Sequence, residues 1–398
     1  MQQQRALEAM GSHMMTGIDL MRHPPKEVVI SDESLTGFGL SLTLTANEIN
    51  HIKTIAEKVL TECINPLSNV RNIGKIIFSE NHLFFSGRND SGFDLVVLMN
   101  LEEDLVATCD SIKRNVTVLT SGTVGSEAAG VKSSMPNSLQ FDFQDVHVRI
   151  AVGHMHHVDE KTNRETVWKK IEELDKNGKL KKVHLDQFAV DLYESQTMFM
   201  HHQVAHDGGS TPNERFVQSA LRLARAWRQC ALSHRDIQFT PLDAWLVMLH
   251  AVHTEVSRTS ETPETAAAAV GGTVTGIRKT IKELFIKKGV TGKIQAGGHE
   301  VSMKNVFKEF LTQLTKLEQM NIHFEDVYEE SRIPDWIKTQ RPLVLDPVCP
   351  YRNTLFNLHQ RVSDDLNKHA AECMKMLDDP HATLPKLFNL PTYKKRGA

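Results

Sequence analysis

One stretch, residues 84–100 (FFSGRNDSGFDLVVLMN), constrains the fold of this chain more than any other. Its first half is rich in Gly, Asn, Asp and Ser, which favour a turn, and residues 95–98 form the continuous apolar run of a buried central strand. Asp94 lies where the turn becomes the strand, and Gly92 faces the same side two residues earlier. Because two carboxylates at these positions would share a divalent metal ion, the stretch predicts a rigid strand with half of a metal-binding pair.

The composition predicts a soluble globular protein and excludes several classes of function. The 398 residues are 40% hydrophobic and 24% charged, and the formal net charge of -3 argues against a chain that is basic throughout and binds nucleic acid. The five cysteines form no CxxC pair, which suits a reducing compartment and does not favour zinc. Since no apolar run reaches about 18 residues, we expect no membrane partner and an intracellular location, in the nucleus, the cytoplasm or both.

The pattern along the chain predicts an α/β N-terminal lobe with a mixed sheet, followed by a helical C-terminal lobe. Residues 1–14 contain GSHM and are interpreted as a tag remnant. We expect an extended arm over 15–40, the first lobe over 41–205, the helical lobe over 206–380 and a loose tail over 381–398.

Two further segments of the first lobe are predicted to be strands. Residues 146–152 (VHVRIAV) alternate between apolar and polar side chains, and residues 182–188 (KVHLDQF) are interpreted as a strand that carries Asp186. A carboxylate on a central strand, an alternating strand, a second carboxylate-bearing strand and then a helical half is the plan of a two-lobed nucleotidyltransferase.

The chain resembles the DZF domains, the dimerising pseudo-nucleotidyltransferases of vertebrate proteins associated with double-stranded RNA, which share their fold with the oligoadenylate synthetases. The resemblance runs from about residue 42 to residue 377. The similar segments, in chain order, are LTANEINHIKTIAEKV, VRNIGK, SGRNDSGFDLVVLMN, VHVRIAV, KVHLDQF, ALRLARAWRQC, PLDAWLVMLHAV and LVLDPVCP.

This resemblance implies a nucleotide site with missing parts. Gly74 and Lys75 lie where active relatives have a phosphate-binding Gly-Ser, Asp94 and Asp186 are the remaining carboxylates, and Arg225 falls on the helix whose basic residue reaches the nucleotide. With Lys75 in place of Ser and no carboxylate at position 92, we expect a pseudoenzyme that has no cofactor, apart from weak binding of Mg²⁺ or a nucleotide.

The resemblance also implies partners. A related DZF-like chain is expected as the second half of a homo- or heterodimer, through a C-terminal interface that includes Asp346, Pro347, Tyr351 and Leu358. Double-stranded or structured RNA is the other expected partner, bound directly or through that chain. The candidate RNA contacts lie on one basic segment: Arg278, Lys279, Lys282, Lys287 and Lys288.

Other interpretations of the same residues stay open at this point. Asp94 and Asp186 are also consistent with ordinary strand-end carboxylates that bond turn amides, and Arg225 and the basic segment with solvated helix faces. The alternative function is an active metal-dependent nucleotidyltransferase of the oligoadenylate-synthetase type, in which Asp90 on the lengthened turn fills the vacant ligand position.

Overall fold

The computed structural model of the protein forms two compact units, Leu44–Phe199 and a second one that joins Met1–Thr43 to Met200–Ala398. The sequence predicts its first lobe over residues 41–205. The described residues are 28–42, 46–79, 92–121, 131–132, 136–204, 212–232, 238–260, 295–296, 299–324 and 327–388.

The unit Leu44–Phe199 is built on a four-stranded mixed sheet. Its strands are β1 (Ile73–Ser79), β2 (Gly92–Met99), β3 (Ser138–Phe143) and β4 (Val146–His154), in the order β1-β2-β4-β3. The two central strands, β2 and β4, run parallel, and each edge strand pairs with its neighbour in the antiparallel sense. The predicted strands at 95–98 and 146–152 are therefore the two central strands.

Alternation along β2 gives the sheet two different faces. Phe93, Leu95, Val97 and Met99 are buried in the larger core of this unit. Two amphipathic helices, α1 (Ala46–Val59) and α2 (Leu105–Ser121), supply the other side of that core through their apolar stripes. The opposite face carries Asp94, and it is the face on which the candidate site lies.

Three helices follow the sheet in this part of the chain: α3 (Glu160–Lys176), α4 (Lys182–Asp191) and α5 (Tyr193–Val204). The prediction of a strand over residues 182–188 is wrong, because this segment is the first part of α4. The period of two holds only from Val183 to Leu185, and Phe188 and Leu192 then follow at the helical spacing of three and four. Asp186 therefore lies on a helix that packs beside β4.

Two predictions about the ends of the chain are also corrected. Part of the expected extended arm is a helix, α6 (Asp32–Ser41), which begins at a capping box formed by Ser31 and Ser34. Gly39 in this helix packs so closely on Ser219 that a Cβ atom would lie 2.1 Å from the Ser219 hydroxyl oxygen. The expected loose tail packs as far as residue 388, because Leu384, Leu387 and Phe388 are buried; residues 389–398 lie outside the described residues.

The unit that contains these ends is mainly helical, as predicted for the C-terminal lobe. Its other helices are α7 (Pro212–Ala231), α8 (Pro241–Ser260), α9 (Met303–Thr315), α10 (Asp335–Lys338), α11 (Gln360–Asp378) and α12 (Leu384–Phe388). Its strands are β5 (Gln295–Ala296), β6 (His299–Glu300), β7 (Asn321–Ile322), β8 (Leu343–Asp346) and β9 (Cys349–Asn353). In the part of the chain that the structure describes, no helix combines the length and apolar character needed to cross a bilayer.

Candidate functional site

The candidate site is centred on Asp94, near the start of β2. In the parallel register between the central strands, Asp94 lies directly across from Arg149 of β4. The Arg149 guanidinium forms an ion pair with Asp94 Oδ2, and the Tyr193 hydroxyl donates a hydrogen bond of 2.8 Å to the same oxygen. The Asp94 side chain is 14% exposed, and that of Arg149 is 48% exposed.

The electrostatics of this pair favour a permanent ion pair. The negative charge of Asp94 raises the pKa of Arg149 above its usual value, and this effect outweighs the opposite effect of burial. Arg149 therefore stays cationic and neutralises the charge that Asp94 would offer to a metal ion. A divalent cation at Asp94 would have to displace the guanidinium, and β2 would offer it the single carboxylate of Asp94.

The position that would carry the paired carboxylate is closed by backbone atoms. Gly92 lies opposite His147 on β4, and a Cβ atom at position 92 would be 2.0 Å from the His147 carbonyl oxygen. That oxygen belongs to the main chain of a central strand and cannot rotate away as a flexible side chain would. The lack of a carboxylate at position 92 is thus built into the packing of β2 against β4.

Gly74 and Lys75 lie on β1, on the same sheet but further from Asp94 than a shared ligand would require. Lys75 pairs with Leu98, four residues along β2 from Asp94, which corresponds to about 13 Å along the strand. The Lys75 ammonium group forms an ion pair with Glu194. Two predicted phosphate or metal contacts, Lys75 and Asp94, are therefore each held by an oppositely charged side chain of the same unit.

Of the other two predicted nucleotide contacts, Asp186 lies in the same unit as Asp94, and Arg225 lies in the second unit. The Asp186 carboxylate, partly exposed on α4, makes no ion pair or hydrogen bond to any described residue that would link it to Asp94. Arg225 belongs to the second unit, on α7, and is 1% exposed. The interpretation of Arg225 as a solvated surface residue is therefore wrong.

The four predicted interface residues differ in their exposure to solvent. Asp346, Pro347 and Tyr351 are buried within the chain, so their side chains do not lie on a surface that a second chain can contact. Asp346 instead serves the fold: its carboxylate accepts hydrogen bonds from Arg352 at 2.8 Å and from the Val348 amide at 3.0 Å. Leu358 is partly exposed.

Two sequence predictions fall on residues that the structure does not describe. The basic segment with Arg278, Lys279, Lys282, Lys287 and Lys288 lies outside the described residues, and so does Asp90. Direct RNA contact through that segment, and the placement of Asp90 as a replacement ligand, both stay predictions.

The sequence analysis did not identify Arg149 as a site residue. Its signal was present, because alternation in residues 146–152 puts His147 and Arg149 on the polar side of the strand. What the sequence did not reveal is the register of β4 against β2, which places Arg149 rather than a neighbouring residue opposite Asp94.

A second polar cluster lies at the other end of β4. Asp191 is 1% exposed and His156 is 3% exposed, and Asp191 Oδ2 accepts a hydrogen bond of 2.9 Å from His156 Nε2. The Asp191 Oδ1 atom accepts from the His154 amide and from the Gln187 side chain, both at 2.8 Å. Because the ammonium group of Lys170 can only donate, its contact of 2.8 Å makes His156 Nδ1 the acceptor and fixes the ring as the Nε2–H tautomer.

This second cluster joins α3 and α4 to the end of β4. The Asn163 side chain on α3 accepts hydrogen bonds from the amides of His156 and His157 and donates one to the Asp191 carbonyl oxygen. Gly153 is required nearby, because a Cβ atom there would lie 2.8 Å from Asp191 Oδ1. With its carboxylate enclosed and bonded on both oxygens, the cluster fits a structural anchor better than a reactive site. Among the described residues, no group of three or more His, Cys, Asp or Glu side chains could hold a metal ion.

Comparisons with known proteins identify the fold. No family model matches the chain, and no curated protein matches it. Among solved structures, CdnC of E. coli MS115-1 with ATP matches with 13% sequence identity and a TM-score of 0.54, over 91% of this chain and 98% of that one. CdnC in complex with HORMA-deltaN matches with 14% identity and a TM-score of 0.53, over 90% and 97% of the two chains.

A third match is the Cid1 poly(U) polymerase with Mg 3'-dATP, at 10% identity and a TM-score of 0.52, over 90% of this chain and 98% of that one. At such low identity these likenesses show the fold alone. The chain has the nucleotidyltransferase fold, with a mixed-sheet α/β part and a helical C-terminal part. The match covers nearly the whole length of both chains, so the fold includes both units.

Proposed function

We propose that this chain is a catalytically degenerate, nucleotidyltransferase-like scaffold of the DZF type, which dimerises with a related chain and takes part in an RNA-associated complex. The observation that carries the loss of catalysis is the ion pair between Asp94 and Arg149. A two-metal mechanism needs several carboxylates that converge on the ions. Here a guanidinium occupies the place across from the one carboxylate of β2.

The steric closure at Gly92 supports the same proposal independently. Because a Cβ atom at position 92 would meet the His147 carbonyl oxygen, a single substitution cannot supply the paired ligand without moving β4. Lys75, another charged residue of the predicted nucleotide site in this unit, is paired with Glu194. Each of the two ion pairs cancels a charge that could attract Mg²⁺ or a triphosphate.

The partner part of the proposal rests on the resemblance of the sequence to dimerising DZF domains. CdnC, which shares the fold, was solved in a complex with HORMA-deltaN, so this architecture accommodates a protein partner in at least one case. Cid1, which also shares the fold, is named as an RNA terminal uridylyl transferase. An RNA-associated role for this chain agrees with these neighbours.

The test is incorporation of labelled nucleotide by the purified chain with Mg²⁺ or Mn²⁺, with and without double-stranded RNA, beside an Asp94→Asn variant. We expect no product above the level of the variant. Product that forms with the wild-type chain and disappears with Asp94→Asn would overturn the proposal and favour the active nucleotidyltransferase. Solution mass, measured alone and with co-expressed DZF-like chains, tests dimerisation separately.

A further inference from the structure

The connection between α3 and α4 is the most basic exposed segment in the described part of the unit Leu44–Phe199. Residues 176–182 read KNGKLKK, with no acidic residue. Its lysines, Lys176, Lys179, Lys181 and Lys182, are all exposed. We refer to this segment, residues 176–182, as the lysine connection.

The backbone of the lysine connection brings the charges together. Gly178 has a left-handed φ of 63°, the conformation that commonly ends a helix. The Lys179 and Leu180 amides turn back to the Leu174 carbonyl oxygen, at 2.8 Å and 3.1 Å. The chain therefore reverses at the end of α3 instead of leading away from it. Lysines from the last turn of α3 and the start of α4 consequently share one compact turn.

These lysines also lack the pairing seen for cations elsewhere in the unit. Lys75 pairs with Glu194, and Arg149 with Asp94, whereas no ion pair joins the four lysines to any carboxylate within the described ranges. The first turn of α4 contains no acidic residue either. Cations at that end of a helix oppose its dipole.

Concentrated like charge without a counter-charge reduces stability unless something negative binds to it. We propose that the lysine connection binds the phosphate backbone of RNA. Exposed lysines act as point charges that neutralise phosphates without reading sequence, so the contact supplies affinity and register, while base specificity comes from elsewhere. The proposal deepens the RNA association in the proposed function, and it does not depend on whether the chain is catalytic.

The test is fluorescence anisotropy of a labelled RNA hairpin titrated with the full chain at several salt concentrations. If four lysines contact phosphates, affinity falls by about 50- to 150-fold between about 50 and 200 mM salt. The variant Lys179→Glu/Lys181→Glu/Lys182→Glu should bind at least about tenfold more weakly, with a salt dependence reduced by about two to three phosphate contacts. A Lys→Gln triple variant serves if the Glu variant does not fold.

The matched control is Lys53→Glu/Lys113→Glu/Lys161→Glu, which changes three exposed lysines of α1, α2 and α3 and alters the net charge by the same amount. We expect this control to keep its affinity within about threefold, since exposed charges act mainly within a Debye length of about 10 Å. Equal losses in both triple variants would overturn the proposal, because overall charge would then explain the binding.

Two other results would also contradict the proposal. One is a wild-type chain that does not bind the hairpin, and the other is a chain that binds phosphatidylserine vesicles through these lysines but does not bind RNA. Nucleotide incorporation and solution mass are measured on the same preparations. Those two measurements test the degenerate-scaffold proposal, whereas the anisotropy titration tests RNA binding. A failure of one proposal is therefore distinguished from a failure of the other.

Discussion

Two carboxylates of the same unit lie near opposite ends of β4, and their surroundings differ. Asp94 is held by the half-exposed guanidinium of Arg149 and by the phenol of Tyr193, beside the first half of the strand. Asp191 is enclosed, and its two oxygens accept hydrogen bonds from His156, Gln187 and the His154 amide. Asp94 is thus bound by side chains that are partly open to water, whereas Asp191 belongs to the buried hydrogen-bonded structure.

The difference shows that the carboxylate to which the sequence motif points is not the one on which the fold depends. A partly exposed ion pair contributes little stability, because water and salt compete with it. A buried carboxylate with full hydrogen bonding is costly to disturb, since its partners would be left unsatisfied. We therefore expect changes at the Asp94 ion pair to cost little stability, whereas Asp191 holds together the three elements that it joins.

Replacement of the buried carboxylate should have the largest effect. Asp191→Ala leaves the His156 ring, the Gln187 amide and the His154 amide without their acceptor, and we expect a loss of about 3–5 kcal/mol. Hydrogen exchange should show this loss of stability as faster opening of both β4 and α4. The matched control is Asp186→Ala on the same helix, which should change stability by less than about 0.5 kcal/mol. Similar effects of the two substitutions would contradict the assignment of Asp191 as the anchor.

A smaller effect is expected at the closed position beside Asp94. Gly92→Ala places a methyl group against the His147 carbonyl oxygen, which should cost about 1–3 kcal/mol through displacement of β4. Gly74→Ala is the control, because the atom nearest to its new methyl group is the flexible end of Met155. Thermal unfolding should separate the two variants by several degrees. A Gly92→Ala variant as stable as the wild type would show that position 92 is open to a side chain.

The smallest effect on stability is expected for the exposed ion pair. Arg149→Ala removes a guanidinium that is 48% exposed, so the loss in thermal unfolding should be below about 1 kcal/mol. Lys75→Ala breaks the comparable pair with Glu194 and should cause a similarly small loss of stability. A loss as large as that of Asp191→Ala would remove the contrast between the two clusters.

The sequence predicted the two-part fold and the central strands because their signals are local. The run from Leu95 to Leu98 is apolar without interruption, and residues 146–152 alternate. The segment 182–188 was misassigned because a period of two over three residues cannot be told from the start of a helix. The same error placed Asp186 on a strand, whereas it lies on α4.

The pairing in the site could not be predicted, because it depends on register. The alternation of β4 excludes a shift by one residue, which would turn Arg149 to the buried face of the sheet. A shift by two residues would keep the faces and would bring His147 or Ala151 opposite Asp94, and nothing in the local pattern excludes that shift. The closure at Gly92 likewise comes from a main-chain oxygen of another strand. Gly92 was recognised as a missing ligand, but its steric reason becomes visible only when β2 and β4 are together.

The most direct test of the central account is a Mn²⁺ titration of the wild-type chain, followed by electron paramagnetic resonance, beside Asp94→Asn and Arg149→Asp. The account predicts that wild type and Asp94→Asn bind Mn²⁺ alike, because Arg149 already neutralises Asp94. It also predicts that Arg149→Asp gains affinity, since two carboxylates then face each other across β2 and β4. Mn²⁺ binding by the wild type that is lost in Asp94→Asn would contradict the account.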